Sequence, residues 1–143
     1  MSGTKVLLVD DEEDFVEALA RRLESRGLQV ATADNGQVAL SKAQHQTFDA
    51  VVLDLAMPTM DGIETLKRLR EMNPDLQIIL LTGHATVQKG VEAMKLGAVD
   101  LLEKPAEFKE ILAKIEQASE RSMLLVEKRT GEEVAEVLRK KGW

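Results

Sequence analysis

Cysteine is absent from the 143 residues, which excludes disulfides and thiolate metal sites and is compatible with a reducing compartment. Aromatic residues make up only 3% of the chain against 44% hydrophobic residues overall, so the core has to be aliphatic. That suits strands covered by helices on both faces. No apolar run approaches the roughly 18 residues of a membrane span, and no signal-peptide hydrophobic region opens the chain. Neither G-x-G-x-x-G nor G-x-x-x-x-G-K-[ST] occurs, which speaks against the common glycine-rich phosphate loops. The net charge of -6 is spread along the chain rather than gathered in blocks, which argues against direct nucleic-acid binding. The expectation is a cytoplasmic protein with no membrane segment, built as one domain with a short appendage.

What is present is an alternation. Short runs rich in Val, Ile and Leu predict strands at 5–9, 28–32, 50–55, 77–82 and 99–103. Between them, segments of helical period predict helices at 12–26, 37–44, 60–72 and 85–96, with another from Glu107 onward. In the first helix Phe15, Ala18, Leu19 and Leu23 form an apolar stripe while Arg21, Arg22 and Glu24 face out. Gly27 and Gly97 stop two helices and Asn73-Pro74 a third. Five βα units specify an α/β fold, a doubly wound five-stranded parallel sheet with right-handed crossovers and flanking helices. In such sheets the ligand sits beyond the carboxyl ends of the strands.

The residues at those ends are polar: Asp10 and Asp11 after the first strand, Asp54 on the third, Thr82 on the fourth and Lys104 after the fifth. With strand order 2-1-3-4-5, the first and third strands are neighbours and the three carboxylates converge. Like charges so close raise at least one pKa unless a cation lies among them. Oxygen donors without His or Cys select a hard cation, and Mg²⁺ fits. Lys104 and Thr82 then complete a cradle for phosphoryl oxygens, with Asp54 in the middle as a nucleophile able to form an acyl phosphate. The turn AMPTMDG, with Pro58 and Gly62, directs Asp54 into the cleft.

The ordered set VDD (9–11), LDLAMPTMDG (53–62), LLTGHA (80–85) and EKP (103–105) resembles the receiver domain of two-component response regulators over about residues 4–120. No one of these pieces is specific, but all four in order on the right strands make a coherent match. The resemblance implies a flavodoxin-like domain, phosphorylated on Asp54 by a sensor histidine kinase or phosphotransfer protein. It implies that Asp11, Asp54 and the backbone carbonyl of Ala56 ligate Mg²⁺, that Asp10 acts through water, and that the Lys104-Pro105 bond is cis. It also implies that Lys104 binds the phosphoryl group and that Thr82 moves toward it. One departure stands out: Leu101 occupies the place, three positions before Lys104, where such receivers often carry an aromatic switch residue. Coupling then has to run through the 83–90 loop and the 85–96 helix. By the same resemblance, Ala56 and His84, two positions beyond Asp54 and Thr82, stand where such receivers set how long the phosphate lasts, which leaves its lifetime here open.

Each feature has a plainer reading. Asp10 and Asp11 could be helix N-terminal acids favoured by the macrodipole, Glu12, Glu13 and Asp14 read as a solvated first turn, and Asp61 reads as turn chemistry. A haloacid-dehalogenase-like phosphatase also uses an Asp nucleophile and Mg²⁺, but needs D-x-D where Asp54 is followed by Leu-Ala-Met. A phosphorylation-independent interaction module would not need the complete acidic set. A signalling switch, rather than a turnover enzyme, is the expectation. Residues 1–120 would form the receiver and 121–143 a helical C-terminal extension, in which Thr130 and Glu133 form a capping box opening a last helix. That tail fits a standalone regulator, a piece of a longer protein, or a segment pairing with another chain, and a homodimer through the 85–118 face or the tail is expected.

Overall fold

Runs of β-branched residues and leucine become strands here, the central ones buried on both sides and the two edge strands only in part. The computed structural model describes residues 3–57, 62–83 and 87–140. Its strands are β1 (Lys5–Val9), β2 (Gln29–Ala33), β3 (Ala50–Asp54), β4 (Ile78–Thr82) and β5 (Asp100–Glu103). Its helices are α1 (Glu13–Ser25), α2 (Gly36–His45), α3 (Gly62–Met72), α4 (Val87–Lys95) and α5 (Phe108–Lys140). All pairings are parallel and the order is β2-β1-β3-β4-β5, as the alternation required. The expected strand and helix positions agree with these elements to within a residue or two. Pro58, Met60, Asp61, His84 and Ala85 lie outside the described residues.

The pleat divides the core in two. Val6, Leu8, Val52, Ile79 and Leu81 face one side, where Val16, Leu19 and Leu23 of α1 and Ile111 and Ile115 of α5 cover them. Leu7, Val9, Val51, Leu53, Ile78 and Leu80 face the other, under Ala39 of α2, Leu66 and Leu69 of α3 and Ala93 of α4. Each fully buried Leu or Ile contributes about 1.5–3 kcal/mol, so this double layer fixes the sheet whose edge carries the site. Gly27 and Gly97 adopt φ of 89° and 113° where α1 and α4 stop, as their positions predicted.

Two expectations need correction. The stripe of α1 is centred on Val16, Leu19, Ala20 and Leu23; Ala18 is exposed and Phe15 only half-buried. Among the described residues the tail contains no separate last helix, because α5 runs 33 residues without a break through Thr130 and Glu133. Gly131 alone costs a helix interior about 1 kcal/mol, and the Glu, Ala, Leu, Arg and Lys around it are strong helix formers. Ser/Thr-x-x-Glu is a start signal only where a helix is not already propagating.

Candidate functional site

β1 and β3 run side by side, with Val9 opposite Leu53, so the residues that follow them emerge together at the carboxyl edge. Asp10, Asp11 and Asp54 each offer a carboxylate oxygen, and the three lie within 4.8 Å of one another. Asp10 and Asp54 are buried and Asp11 is exposed. The backbone N–H of Ala56 donates to Asp54 Oδ1 at 3.1 Å and that of Glu12 to Asp10 Oδ1 at 3.0 Å, so turns hold both buried carboxylates in place. The Lys104 ammonium donates to Asp10 Oδ2 at 2.7 Å and stands 4.0 Å from Asp54 Oδ2. Lys104 is itself fixed by its backbone N–H, which donates to the Thr82 carbonyl at 2.7 Å, and the Lys104-Pro105 bond is cis. Thr82 is 0% exposed, and among the described residues its hydroxyl oxygen has no hydrogen-bond partner. A hydroxyl left without a partner at a strand end is ready to bond whatever enters the cleft.

The electrostatics follow from burial. Desolvation is the main cause that lifts Asp54 from 3.8 to about 6, with the charges of Asp10 and Asp11 adding to it. The Ala56 N–H and Lys104 pull the other way and are outweighed. Burial also works against the Lys104 charge, but hydrogen bonds to Asp10 and Glu12 and the field of Asp54 outweigh it, and its pKa is raised. Mutual repulsion was expected to perturb one of the three carboxylates; burial turns out to be the larger cause. The donor set fits a hard divalent cation, since it offers carboxylate oxygens, no imidazole and no thiolate, and carries an excess of negative charge.

Two features were not legible in the sequence. Glu12, read as part of a solvated first turn together with Glu13 and Asp14, accepts a hydrogen bond from Lys104 at 3.0 Å. Lys104 also lies 4.8 Å from the centroid of the Phe15 ring. No pattern in EEDF separates Glu12 from Glu13; only the extended backbone at Glu12, where α1 begins, turns its side chain toward the cleft. Leu101 is half-buried against α4. A Cβ added at Gly90 would stand 2.9 Å from Leu101 Cδ1 and 3.2 Å from Thr82 Cγ2, so α4 rests on both residues at its one glycine.

The family model described as "Response regulator receiver domain" matches residues 6–116. The C4-dicarboxylate transport transcriptional regulatory protein DctD of Pseudomonas aeruginosa is 42% identical over 128 residues, which is 89% of this chain and 28% of that protein. The transcriptional regulatory protein ZraR of Klebsiella oxytoca is 40% identical over 120 residues, 82% of this chain and 27% of that one. This chain thus spans only about a quarter of the length of these curated relatives. The crystal structure of a response regulator receiver domain protein from Clostridium thermocellum superposes with a TM-score of 0.79 at 30% identity, covering 85% of this chain and 98% of that one.

Proposed function

Since this chain belongs to the response regulator receiver domain family, we propose that it is switched by phosphorylation of Asp54 and passes that state to a downstream partner. The observation that carries this reading is the meeting of Asp10, Asp11, Asp54 and Lys104 around the unpartnered Thr82 hydroxyl. A carboxylate oxygen of Asp54 attacks the phosphorus of a phosphohistidine on a sensor kinase or phosphotransfer protein. The P–N bond breaks, its electron pair returns to the imidazole, and an acyl phosphate forms on Asp54. Lys104 takes a phosphoryl oxygen, and Thr82 donates its hydroxyl to another. Asp11, Asp54 and the Ala56 carbonyl would hold Mg²⁺, with Asp10 acting through water; the ion supplies positive charge to the phosphoryl oxygens when bound. As Thr82 moves, α4, which rests on Thr82 and Leu101 at Gly90, moves with it, so a leucine can serve where other receivers use an aromatic. The chain acts in the cytoplasm as a switch whose only chemistry is its own phosphorylation and dephosphorylation. Among the described residues no helix is long and apolar enough to cross a membrane.

The test is incubation with a small phosphodonor and Mg²⁺ followed by intact mass. One added phosphoryl group, absent when a chelator is present, supports the reading. Steady release of phosphate from many organic esters would favour a phosphatase instead.

Residues 1–120 form the switch and 121–143 an extension that pairs two copies of the chain. Arg129 of α5 forms an ion pair with Asp75. At 3.6 residues per turn, Met123, Val126, Val134, Val137 and Leu138 share an arc of about 120° that is centred about 120° round the helix from Arg129, and all are exposed. An exposed apolar stripe of that length needs cover. Sedimentation velocity is expected to find dimers of the full chain and monomers of a chain ending at residue 120. Dimers of both would place the contact on the 85–118 face, and monomers of both would overturn the pairing.

A further inference from the structure

The Lys104 ammonium is shared. It donates to Asp10 at 2.7 Å and to Glu12 at 3.0 Å, lies 4.8 Å from the Phe15 ring centroid, and stays 4.0 Å short of Asp54 Oδ2. Glu12 makes no side-chain capping bond to α1, although it stands at the N-cap, so its carboxylate is spent on Lys104 and not on the helix. From this geometry we infer that Glu12 is a positioning residue that restrains phosphorylation by holding Lys104 on the β1 side of the cleft until a phosphoryl group draws it across. The inference rests on Asp54 being the phosphoacceptor.

The physical argument is one of competition. Lys104 must give its charge to phosphoryl oxygens that are not there in the resting state, and until then two carboxylates satisfy it. Asp10 is buried with a side chain 2% exposed, whereas the Glu12 side chain is 63% exposed, so the Glu12 contact is the one that opens readily. Glu12 also leaves a negative charge beside the path of an incoming anionic donor, which adds to the restraint. An exposed pair of this kind has a modest effect, and the restraint it exerts is correspondingly a matter of rate rather than of all or none.

The experiment compares the full chain with Glu12→Gln and Glu12→Asp, following phosphoryl uptake by intact mass against the concentration of a small phosphodonor with Mg²⁺ in excess. The Glu12→Gln chain is expected to react about two- to fivefold faster at low ionic strength, as fits the loss of one exposed ion pair. The gain should shrink toward nothing at about 1 M salt, where screening acts within about 3 Å. Glu12→Asp, whose carboxylate is one methylene shorter, should fall between the two. Without metal, the ¹⁵N resonance of the Lys104 ammonium should shift and broaden in Glu12→Gln, a change that a merely structural role would not produce. Equal or slower uptake by Glu12→Gln, or a gain that persists at high salt, overturns the inference while leaving the phosphoacceptor reading intact. Failure of the parent chain to take any phosphoryl group sinks both.

Discussion

Replacing Asp54 with Asn is expected to abolish phosphoryl uptake outright and at the same time to make the metal-free protein more stable at neutral pH. The first effect follows because the amide offers no oxygen nucleophile at the one carboxylate that Lys104, Thr82 and the acidic pair surround. The second follows from proton linkage. Asp54 titrates at about 6 in the folded chain against an ordinary 3.8, so the folded state holds the proton more tightly than the unfolded one. Its cost to stability is therefore absent below 3.8, grows as pH rises toward 6, and is complete above that value. At pH 7 it amounts to at most about 3 kcal/mol. An asparagine carbonyl can still accept the Ala56 N–H, which removes the charge without orphaning that donor. Thermal unfolding in chelator should give Asp54→Asn the higher midpoint at pH 7, with the gap closing near pH 4. A variant that still gained one phosphoryl group would move the acceptor elsewhere, and one that melted at the parent's midpoint at pH 7 would mean that the buried charge carries no strain.

The second large effect is expected at Gly62. A Cβ there would stand 2.4 Å from Leu55 Cα and 2.8 Å from the Asp54 carbonyl oxygen, both backbone atoms that cannot turn aside. Gly62 also donates its N–H to the Leu55 carbonyl at 3.1 Å, closing the connection that follows Asp54. Gly62→Ala therefore has to displace the backbone carrying the Asp54 carboxylate and its Ala56 donor. A loss of about 3 kcal/mol in urea unfolding is expected, at the upper end of what overpacking usually costs, and phosphoryl uptake should fall with it. Gly131→Ala is the control. Nothing lies within 4 Å of a Cβ at that position, and relief of the helix penalty should stabilise the chain by up to about 1 kcal/mol. Equal midpoints for Gly62→Ala and the parent would show that α3 does not seat closely on Leu55 and the Asp54 carbonyl at this position.

Much of this architecture was legible in the residues. The buried runs AVVLD and IILLT could only be central strands, and the polar residue ending each of them, Asp54 and Thr82, could only stand at the edge where ligands bind. With the strand order 2-1-3-4-5, those strand ends bring the carboxylates together. What escaped was decided by local direction and by context. Glu12 and Glu13 are the same residue type on one turn, and only the extended backbone at Glu12 sends its side chain to Lys104. Thr130 and Glu133 carry a start signal that an already formed helix overrides, because propagation costs far less than nucleation. The close seat of α4 on Leu101 and Thr82 depends on the absence of one methyl group at Gly90, a contact that no sequence period encodes.

Titration of the unphosphorylated chain with Mg²⁺, followed by backbone amide NMR, tests most directly whether the acids that follow β1 and end β3 jointly hold one hard cation next to the phosphoacceptor. Saturable shifts confined to residues near 10–12, 54–56, 82 and 104, and lost in Asp11→Asn, are expected. Shifts centred elsewhere, or binding that Asp11→Asn leaves unchanged, would contradict it.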